Sequence, residues 1–157
     1  MHEPNIIVLR GLPGSGKTRW AHGFLLRNRD AIRVNRNDLR SMLYRQRMDL
    51  GRREEYVSFV EQSIVRDALA KGLTPVVDSM NLNNRYARAW YDIGSVRWLD
   101  FHAPLEELLQ RNLDRPFEDR IEPDVLRDQW YKYTMEDDLL TDPPRDHGAE
   151  PRYLELT

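Results

Sequence analysis

Residues 11–18 read Gly11-Leu12-Pro13-Gly14-Ser15-Gly16-Lys17-Thr18 and fit the pattern GxxxxGK[ST] at every position. The glycines allow successive backbone N–H groups to point inward at phosphate oxygens, and a helix that begins here adds the positive end of its dipole. In this pattern the lysine reaches the β- and γ-phosphates, and the Ser/Thr hydroxyl binds Mg²⁺. The segment therefore predicts a site for ATP, or another nucleoside triphosphate, with Mg²⁺ on Thr18.

The sequence on either side of this loop decides between a ligand site and a ligand-free Gly-rich turn. Residues 6–9 are the apolar run Ile-Ile-Val-Leu, which is typical of a buried strand, and residues 16–28 fit a helix. A strand before the loop and a helix after it are the context in which the pattern binds phosphate. The loop alone does not identify a reaction, because switch GTPases, motor ATPases and small-molecule kinases share it.

Strand-like and helix-like segments alternate along the rest of the chain. Further strands are predicted at 31–34, 75–78, 96–101 and 152–156, and further helices at 37–48 (capped by Asn37), at 57–69 before Gly72, and at 84–92, 104–115 and 123–140. Such alternation is typical of a parallel sheet covered by helices on both faces. We therefore predict a P-loop kinase-like α/β fold in a single domain over residues 1–157. It would have a helical lid at about 104–122 and an irregular tail at about 141–157.

Three polar segments, 11–18, 35–40 and 78–81, each follow a predicted strand. Because ligands of parallel sheets bind beyond the carboxyl ends of the strands, we expect these segments to share one site. Asp78 stands where this class places a carboxylate for Mg²⁺; helix capping is the alternative. In 35–40 a carboxylate could accept a hydroxyl proton and Arg40 could hold a phosphate of the acceptor. Asn and Asp are also common where a helix begins, so both interpretations apply.

Arg111 and Arg115 are spaced i, i+4, so on a helix they share one face. Two guanidinium groups there could close over a triphosphate and stabilise the charge that develops during transfer. The alternative is a solvated charged face, since Glu106, Glu107 and Asp114 are available for ordinary surface pairing.

The composition excludes several classes of site. The chain has no cysteine, which removes disulfides, thiol catalysis and thiolate metal sites. No histidines show metal-ligand spacing, and the tryptophans are expected in the core: Trp20, Trp90, Trp98 and Trp130. Apolar stretches are about four residues long, far below the roughly 20 of a membrane span, and no leader opens the sequence. We therefore expect a cytoplasmic protein that does not contact a membrane.

The net charge of −2 hides an asymmetry along the chain. Residues 1–117 carry 19 Lys and Arg against 14 Asp and Glu, whereas residues 118–157 carry 5 against 12. Arginine, which binds phosphate oxygens as a fork, outnumbers lysine strongly, so the basic part suits a phosphate-rich ligand; a bias towards Arg codons is the alternative. The isoelectric point of about 6.1 argues against tight non-specific duplex binding.

Four segments in order resemble the 5′-hydroxyl polynucleotide kinases of phage and RNA-repair systems. GLPGSGKTRWA (11–21) resembles that family's phosphate loop, and VNRNDLR (34–40) its acceptor segment. VVDSMNLNNRYARAW (76–90) resembles its third-strand segment, and ELLQRNLDR (107–115) with PDVLR (123–127) resembles its lid helix and the helix after it. The loop is specific for the superfamily, and the ordered set, which spans about 6–131, is much more specific for this branch.

The resemblance implies a role for each matching position. Lys17 and Thr18 would bind phosphate and Mg²⁺, and Asp78 would complete the metal site, with Met80 where a Thr is more usual. Arg111 and Arg115 would be lid arginines on the donor phosphates, with Arg115 nearest the transferred group. Arg40 would hold the phosphate next to the acceptor hydroxyl. Asp38 and Asn81 fall on the acceptor side.

The sequence departs from this family at one catalytic position. The family's proton acceptor is an Asp three residues before the arginine that matches Arg40, and this chain has Asn37 there. A neutral amide cannot take the proton, so a step worth roughly 10²–10⁴-fold is lost. Asp38 could replace it, although the next helical position points about 100° away. Alternatively the base is dispensable, because phosphoryl transfer depends mainly on positioning, or the Asn is an engineered substitution.

The resemblance implies transfer of the ATP γ-phosphoryl group to a 5′-hydroxyl end of RNA or DNA, as in nucleic-acid end repair. A P-loop kinase of a small-molecule hydroxyl is one rival, and a nucleotide-binding module impaired by Asn37 is the other. No DxDGT-type phosphatase motif is present, so the sequence looks like the kinase module alone. The oligomeric state stays open.

Overall fold

Five parallel strands form one sheet, and the strand that leads into the phosphate loop lies at its centre. The computed structural model describes residues 5–45, 51–83 and 88–135, with side chains as far as 133, and the backbone of 152–155. The strands are β1 (Ile6–Gly11), β2 (Ala31–Val34), β3 (Thr74–Asp78), β4 (Val96–His102) and β5 (Arg152–Glu155). Their spatial order is β2-β3-β1-β4-β5, and every neighbouring pair is parallel.

Helices cover both faces of this sheet, which confirms the predicted fold class. They are α1 (Lys17–Arg27), α2 (Arg36–Tyr44), α3 (Arg52–Ala70), α4 (Leu105–Leu113) and α5 (Pro123–Met135), with 3-10 turns at Ala89–Asp92 and Phe117–Asp119. Of the predicted helix at 84–92, the structure describes only the end, which forms the first of these 3-10 turns. The start of that helix lies outside the described residues. So do the end of the predicted helix at 37–48 and most of the tail. Within the described residues, no helix is both long and apolar enough to span a bilayer.

All six residues of β1 are buried, as expected for the central strand of a sheet with two covered faces. Ile7 and Leu9 pack against α1 on one face. Ile6 and Val8 pack against α2 and α3 on the other face. The strand that carries the loop is therefore fixed from both sides.

A third apolar cluster lies at the carboxyl ends of the strands. Leu12, in the phosphate loop, is buried there with Leu108 of α4 and Leu126 of α5. This cluster fastens the predicted lid segment to the loop, so the position of α4 relative to the phosphate site is set by packing.

The four tryptophans are packed in the apolar clusters, as the sequence predicted. Trp90 and Trp98 are buried, and Trp20 stacks on Phe24 with ring centroids 5.0 Å apart. Trp130 packs with the third cluster and donates its indole N–H to the carbonyl of Ala103 at 3.1 Å. Their rings therefore contribute to stability.

Candidate active site

The phosphate loop joins β1 to α1 through glycines that no other residue could replace without strain. A Cβ on Gly11 would lie 2.7 Å from the carbonyl oxygen of Phe101, closer than real Cβ contacts come. Gly14 and Gly16 have φ of +82° and +102°, in the left-handed region that side chains disfavour. The glycine spacing is therefore required by the path of the backbone.

Lys17, the first residue of α1, is buried against the carbonyls of its own loop. Its Nζ donates to the carbonyl oxygens of Gly11 and Leu12, each at 2.8 Å, and lies 3.4 Å from the hydroxyl of Ser15. Burial lowers the pKa of Lys17 to about 8, with Asp78 acting in the opposite direction and Arg115 adding to the decrease. The ammonium thus lies in the loop, still mostly charged at neutral pH.

Thr18 and Asp78 form the centre of the predicted metal site. The Thr18 hydroxyl donates to Asp78 Oδ2 at 2.8 Å. Asp78 is fully buried, and among the described residues its other carboxylate oxygen, Oδ1, has no hydrogen-bond partner. Hydroxyl and carboxylate oxygens are ligands that Mg²⁺ accepts, usually with several waters retained. The unpartnered buried oxygen beside a hydroxyl fits an ion at this position.

Arg33, on β2, was not singled out from the sequence, yet it joins the two halves of the site. Its Nε donates to Asp78 Oδ2 at 2.7 Å, and its Nη1 donates to Asp38 Oδ2 at 2.7 Å. Partial burial opposes its charge, but the bonds to these two carboxylates prevail and raise the pKa of Arg33. Asp38 is therefore held towards β2 by an ion pair.

The acceptor segment begins α2, and the helix cap is not the residue that the sequence predicted. Asn35 is the cap: its side-chain oxygen accepts the backbone N–H of Asp38 at 2.9 Å. The predicted cap, Asn37, lies instead in the first turn of the helix. The physical reason is a hydrogen bond: the Asn35 side-chain amide donates to the carbonyl oxygen of Asp78, the last residue of β3, at 2.5 Å. This bond holds Asn35 beside β3, so the helix begins immediately after it. This bond attaches the start of α2 to the metal-site strand.

Asn37 and Arg40 are in direct contact within that first turn. The Arg40 Nη1 donates to Asn37 Oδ1 at 2.8 Å. Asn37 is exposed and Arg40 is half-buried. The position of the expected base and the expected phosphate-binding arginine are thus in contact.

Glu54, on α3, holds the acceptor arginines, and nothing in the sequence pattern pointed to it. Its carboxylate accepts Arg36 Nη2 at 2.6 Å, Arg40 Nε at 3.0 Å and, from a second nitrogen, Arg40 Nη2. The Tyr44 hydroxyl also donates to it at 3.2 Å. Although burial opposes ionisation, the bonds from Arg40 and Arg36 lower the pKa of Glu54 to about 2. Glu54 therefore acts as a fixed anion and a weak proton acceptor.

Arg36 also reaches a second glutamate of α3. Its Nη1 donates to Glu61 Oε2 at 2.7 Å and to the Ser58 hydroxyl at 3.0 Å. Glu61 is buried, and burial raises its pKa against the opposing effect of Arg36. These bonds fasten α2 to α3 and so fix the orientation of the acceptor segment.

The two arginines of the predicted lid both lie near the phosphate loop. Arg111 donates to the carbonyl oxygen of Gly14 at 2.7 Å and also pairs with Glu107 at 3.2 Å. The surface ion pair with Glu107, which was the alternative interpretation of the sequence, thus coexists with the hydrogen bond from Arg111 to Gly14. Arg115 follows the end of α4, and its positive charge contributes to the lowered pKa of Lys17. Arg111 therefore contacts the loop directly, and the action of both arginines on a bound phosphate stays a prediction.

Asn81 has an internal use that its sequence position did not reveal. It adopts a left-handed φ of +49°, and its amide donates to the carbonyl oxygen of Leu9 at 2.7 Å and to that of Ser79 at 3.1 Å. Its side-chain oxygen accepts the Trp90 indole N–H at 3.4 Å. Asn81 thus ties the end of β3 to β1, and its role towards an acceptor stays a prediction.

One known protein family matches most of the chain. Residues 6–137 match the AAA domain family AAA_33. The match covers most of the chain, so the chain belongs to this family, and its fold is that of a P-loop kinase-like domain.

Solved structures with the same fold include chains of an RNA repair complex and a sugar kinase. Two structures of the Pnkp1/Rnl/Hen1 complex, one described as an RNA repair complex, match at 27% identity, with TM-scores of 0.65 and 0.69 over 71% and 87% of this chain. The match spans only 40% and 47% of those longer chains. Kti12 of Chaetomium thermophilum, in complex with ADP-AlF3, matches at 18% identity with a TM-score of 0.69, over 96% of this chain and 88% of Kti12. A sugar kinase of Janibacter sp. HTCC2649 matches at 17% identity with a TM-score of 0.66, over 98% of this chain and 86% of the kinase. At these identities the two matches support only a shared fold.

Proposed function

We propose that this member of the AAA domain family transfers the γ-phosphoryl group of ATP, or of another nucleoside triphosphate, to a 5′-hydroxyl end of RNA or DNA. The observation that carries the proposal is the Asn37–Arg40 pair, held on the strand that bears Asp78. A cation fixed at the acceptor position suits a hydroxyl with a phosphate close by, as at the end of a polynucleotide. The 27% identity to chains of an RNA repair complex supports the same substrate class.

On the donor side, the loop N–H groups and Lys17 would bind the triphosphate, and Arg111 and Arg115 would stabilise the charge of the transferring group. Thr18 and Asp78 would hold Mg²⁺, which when bound neutralises charge on the phosphate oxygens. Lys17 now donates to loop carbonyls, so a triphosphate would exchange those bonds for bonds to its own oxygens.

On the acceptor side, Arg40 would orient the 5′ end towards the loop. The carboxylates nearby are engaged by arginines: Asp38 is paired with Arg33, and the bonds of Arg40 and Arg36 to Glu54 lower the pKa of Glu54 to about 2, which makes Glu54 a poor base. Asn37 can accept a hydrogen bond from the hydroxyl but cannot take its proton. Transfer in this chain therefore relies on positioning and electrostatics, and we expect it to be slow.

Asn37 also supports a second candidate, a nucleotide-binding module impaired in catalysis. In that case the loop would bind ATP without measurable transfer, and Asn37→Asp would not restore it. The contacts of Arg111 and Arg40 argue against this candidate, because nucleotide binding alone does not need an organised acceptor segment.

The test is incubation with labelled ATP and 5′-hydroxyl oligonucleotides of RNA and DNA, beside a panel of nucleosides and sugars. Wild type, Asn37→Asp and the loop variant Lys17→Ala are compared. We expect label on the 5′ ends with the first two proteins and none with Lys17→Ala. Unlabelled 5′ ends with phosphorylated small molecules would show a small-molecule kinase, and ATP binding with no transfer would show the impaired module.

A further inference from the structure

A groove lies between the end of α2 and the start of α3. We call it the α2–α3 groove; it has a volume of about 420 Å³ and is lined by Leu43, Tyr44, Arg52, Arg53 and Tyr56. Ligand clefts commonly span about 300–1,000 Å³, so a ligand the size of a nucleotide fits. The proposed transfer at the phosphate loop does not itself use this groove.

The charge of the groove favours an anion. Arg52 and Arg53 line it, and among the described residues that line it there is no carboxylate. Glu54 is next in sequence, but its carboxylate is bound by Arg36 and Arg40. Glu55 is exposed in the same turn, so one carboxylate accompanies the two arginines there.

Exposed aromatic rings accompany these arginines. The Arg53 guanidinium lies over the Tyr44 ring, 5.3 Å from its centroid. Tyr56 is 55% exposed and stacks with Phe59, which is 64% exposed, at a centroid distance of 6.2 Å and an interplanar angle of 28°. Rings left this accessible next to cations are typical of surfaces on which unpaired nucleic-acid bases stack.

One wall of the groove lies next to the acceptor arginine. Glu54 Oε2 accepts both Arg40 Nε at 3.0 Å and the Tyr44 hydroxyl at 3.2 Å. One carboxylate oxygen therefore joins the arginine that would hold the acceptor phosphate to the wall of the groove. A strand whose first phosphate is on Arg40 can continue directly into the groove.

We propose that the α2–α3 groove binds the nucleotides that follow the 5′ end of a single-stranded acceptor. Phosphates lie against Arg52 and Arg53, and a base stacks on the surface formed by Tyr56 and Phe59. The inference rests on the proposed function, which supplies the strand and its direction. It makes the acceptor an unpaired strand several nucleotides long, since a duplex hides the base faces that the rings need.

The experiment measures binding and transfer separately. A single-stranded 5′-hydroxyl dodecamer with a dye at its 3′ end is titrated, without ATP, into wild type, Tyr56→Ala/Phe59→Ala and Arg52→Ala/Arg53→Ala, and the anisotropy is recorded. kcat/KM is then compared for the dodecamer and a 5′-hydroxyl dinucleotide. The matched controls are Tyr131→Ala, at a ring 54% exposed on α5, and Arg66→Ala, at an exposed arginine on α3.

We expect each groove variant to bind the dodecamer about tenfold more weakly, since loss of a stacked base or of phosphate contacts has effects of this order. The arginine variant should also show a shallower salt dependence, by about 0.7 per lost phosphate contact. Dinucleotide kcat/KM and both control variants should match wild type, because the groove lies beyond the reacting end.

The proposal is overturned if wild type does not bind the dodecamer, or if the groove variants bind it as wild type does. It is also overturned if wild type sediments as a dimer that the groove variants dissociate, because the groove is then a contact between copies. If groove variants weaken binding while no 5′-hydroxyl end is labelled at any length, the proposed transfer fails and the groove assignment stands.

Discussion

The phosphate loop and the acceptor segment lie at the same edge of the sheet, but different kinds of contact shape them. In the loop, three glycines and a lysine that are close in sequence set the backbone path, and Lys17 bonds to carbonyls five and six residues away. In the acceptor segment, Arg36 and Arg40 are held by glutamates 14 to 25 residues further along the chain. A local motif thus builds the proposed donor half, and tertiary ion pairs build the proposed acceptor half.

This difference predicts that each half can be damaged separately. Changes in the loop should affect the nucleotide and the transfer step, whatever the acceptor. Changes in the clamp formed by Glu54, Arg36 and Arg40 should affect the acceptor and leave the nucleotide alone.

The largest loss of activity is expected for Lys17→Ala. Removing the buried cation should lower kcat by about 10²–10³-fold, the loss typical of one preorganised group that stabilises transition-state charge. Steady-state transfer to a saturating oligonucleotide measures it, with circular dichroism to confirm folding. Lys71→Ala, which removes an exposed lysine paired with Asp67, is the matched control. A loss confined to the acceptor KM would contradict the separation of the two halves.

The next effect is a pH dependence of nucleotide binding. Because the pKa of Lys17 in the free protein is lowered to about 8, the ammonium is present below that pH and lost above it. The triphosphate needs the charged form, so the Kd for ATP should rise about tenfold per pH unit above pH 8. Calorimetric titration between pH 7 and 9.5 measures this. Lys17→Ala should bind weakly with no such slope, and a flat wild-type profile would show that the lysine keeps its proton.

A smaller effect is expected for Glu54→Gln, which leaves the acceptor arginines with a neutral partner. Weakening a charged hydrogen bond should raise the oligonucleotide KM by roughly tenfold or less, and the KM for ATP should not change. Glu55→Gln, at the exposed neighbouring residue, is the control. Equal rises in both KM values would mean that the clamp supports the whole site.

The path of the phosphate loop could be predicted from the sequence because its determinants are local. The loop, the strand before it and Asp78 at the end of β3 follow from glycine spacing and apolar runs, and the structure places Thr18 on Asp78. The acceptor half was predicted only in outline. The sequence predicts Asn37 as the helix cap, but Asn35 suits a cap equally well, and only the bond from Asn35 to β3 distinguishes them.

The remaining site contacts could not be read from the sequence, because they join elements whose relative position depends on the fold. Arg33 alternates with apolar residues in a strand, and its bonds to Asp78 and Asp38 appear only when β2 lies beside β3. Glu54 is one of several charged residues at the start of α3, and its partners on α2 give no periodic signal.

The central claim is that the donor half is complete and that the acceptor half has its geometry but not its base. The most direct test is the single-turnover rate of transfer to a saturating 5′-hydroxyl oligonucleotide, with wild type, Asn37→Asp and Asp38→Asn. Position 37 is where the resemblance places the proton acceptor, so an aspartate there should take the hydroxyl proton and raise the rate by about 10²–10⁴-fold. The Kd for ATP and the rate of Asp38→Asn should match wild type. An Asn37→Asp rate no higher than wild type, with transfer abolished in Asp38→Asn, would contradict the account.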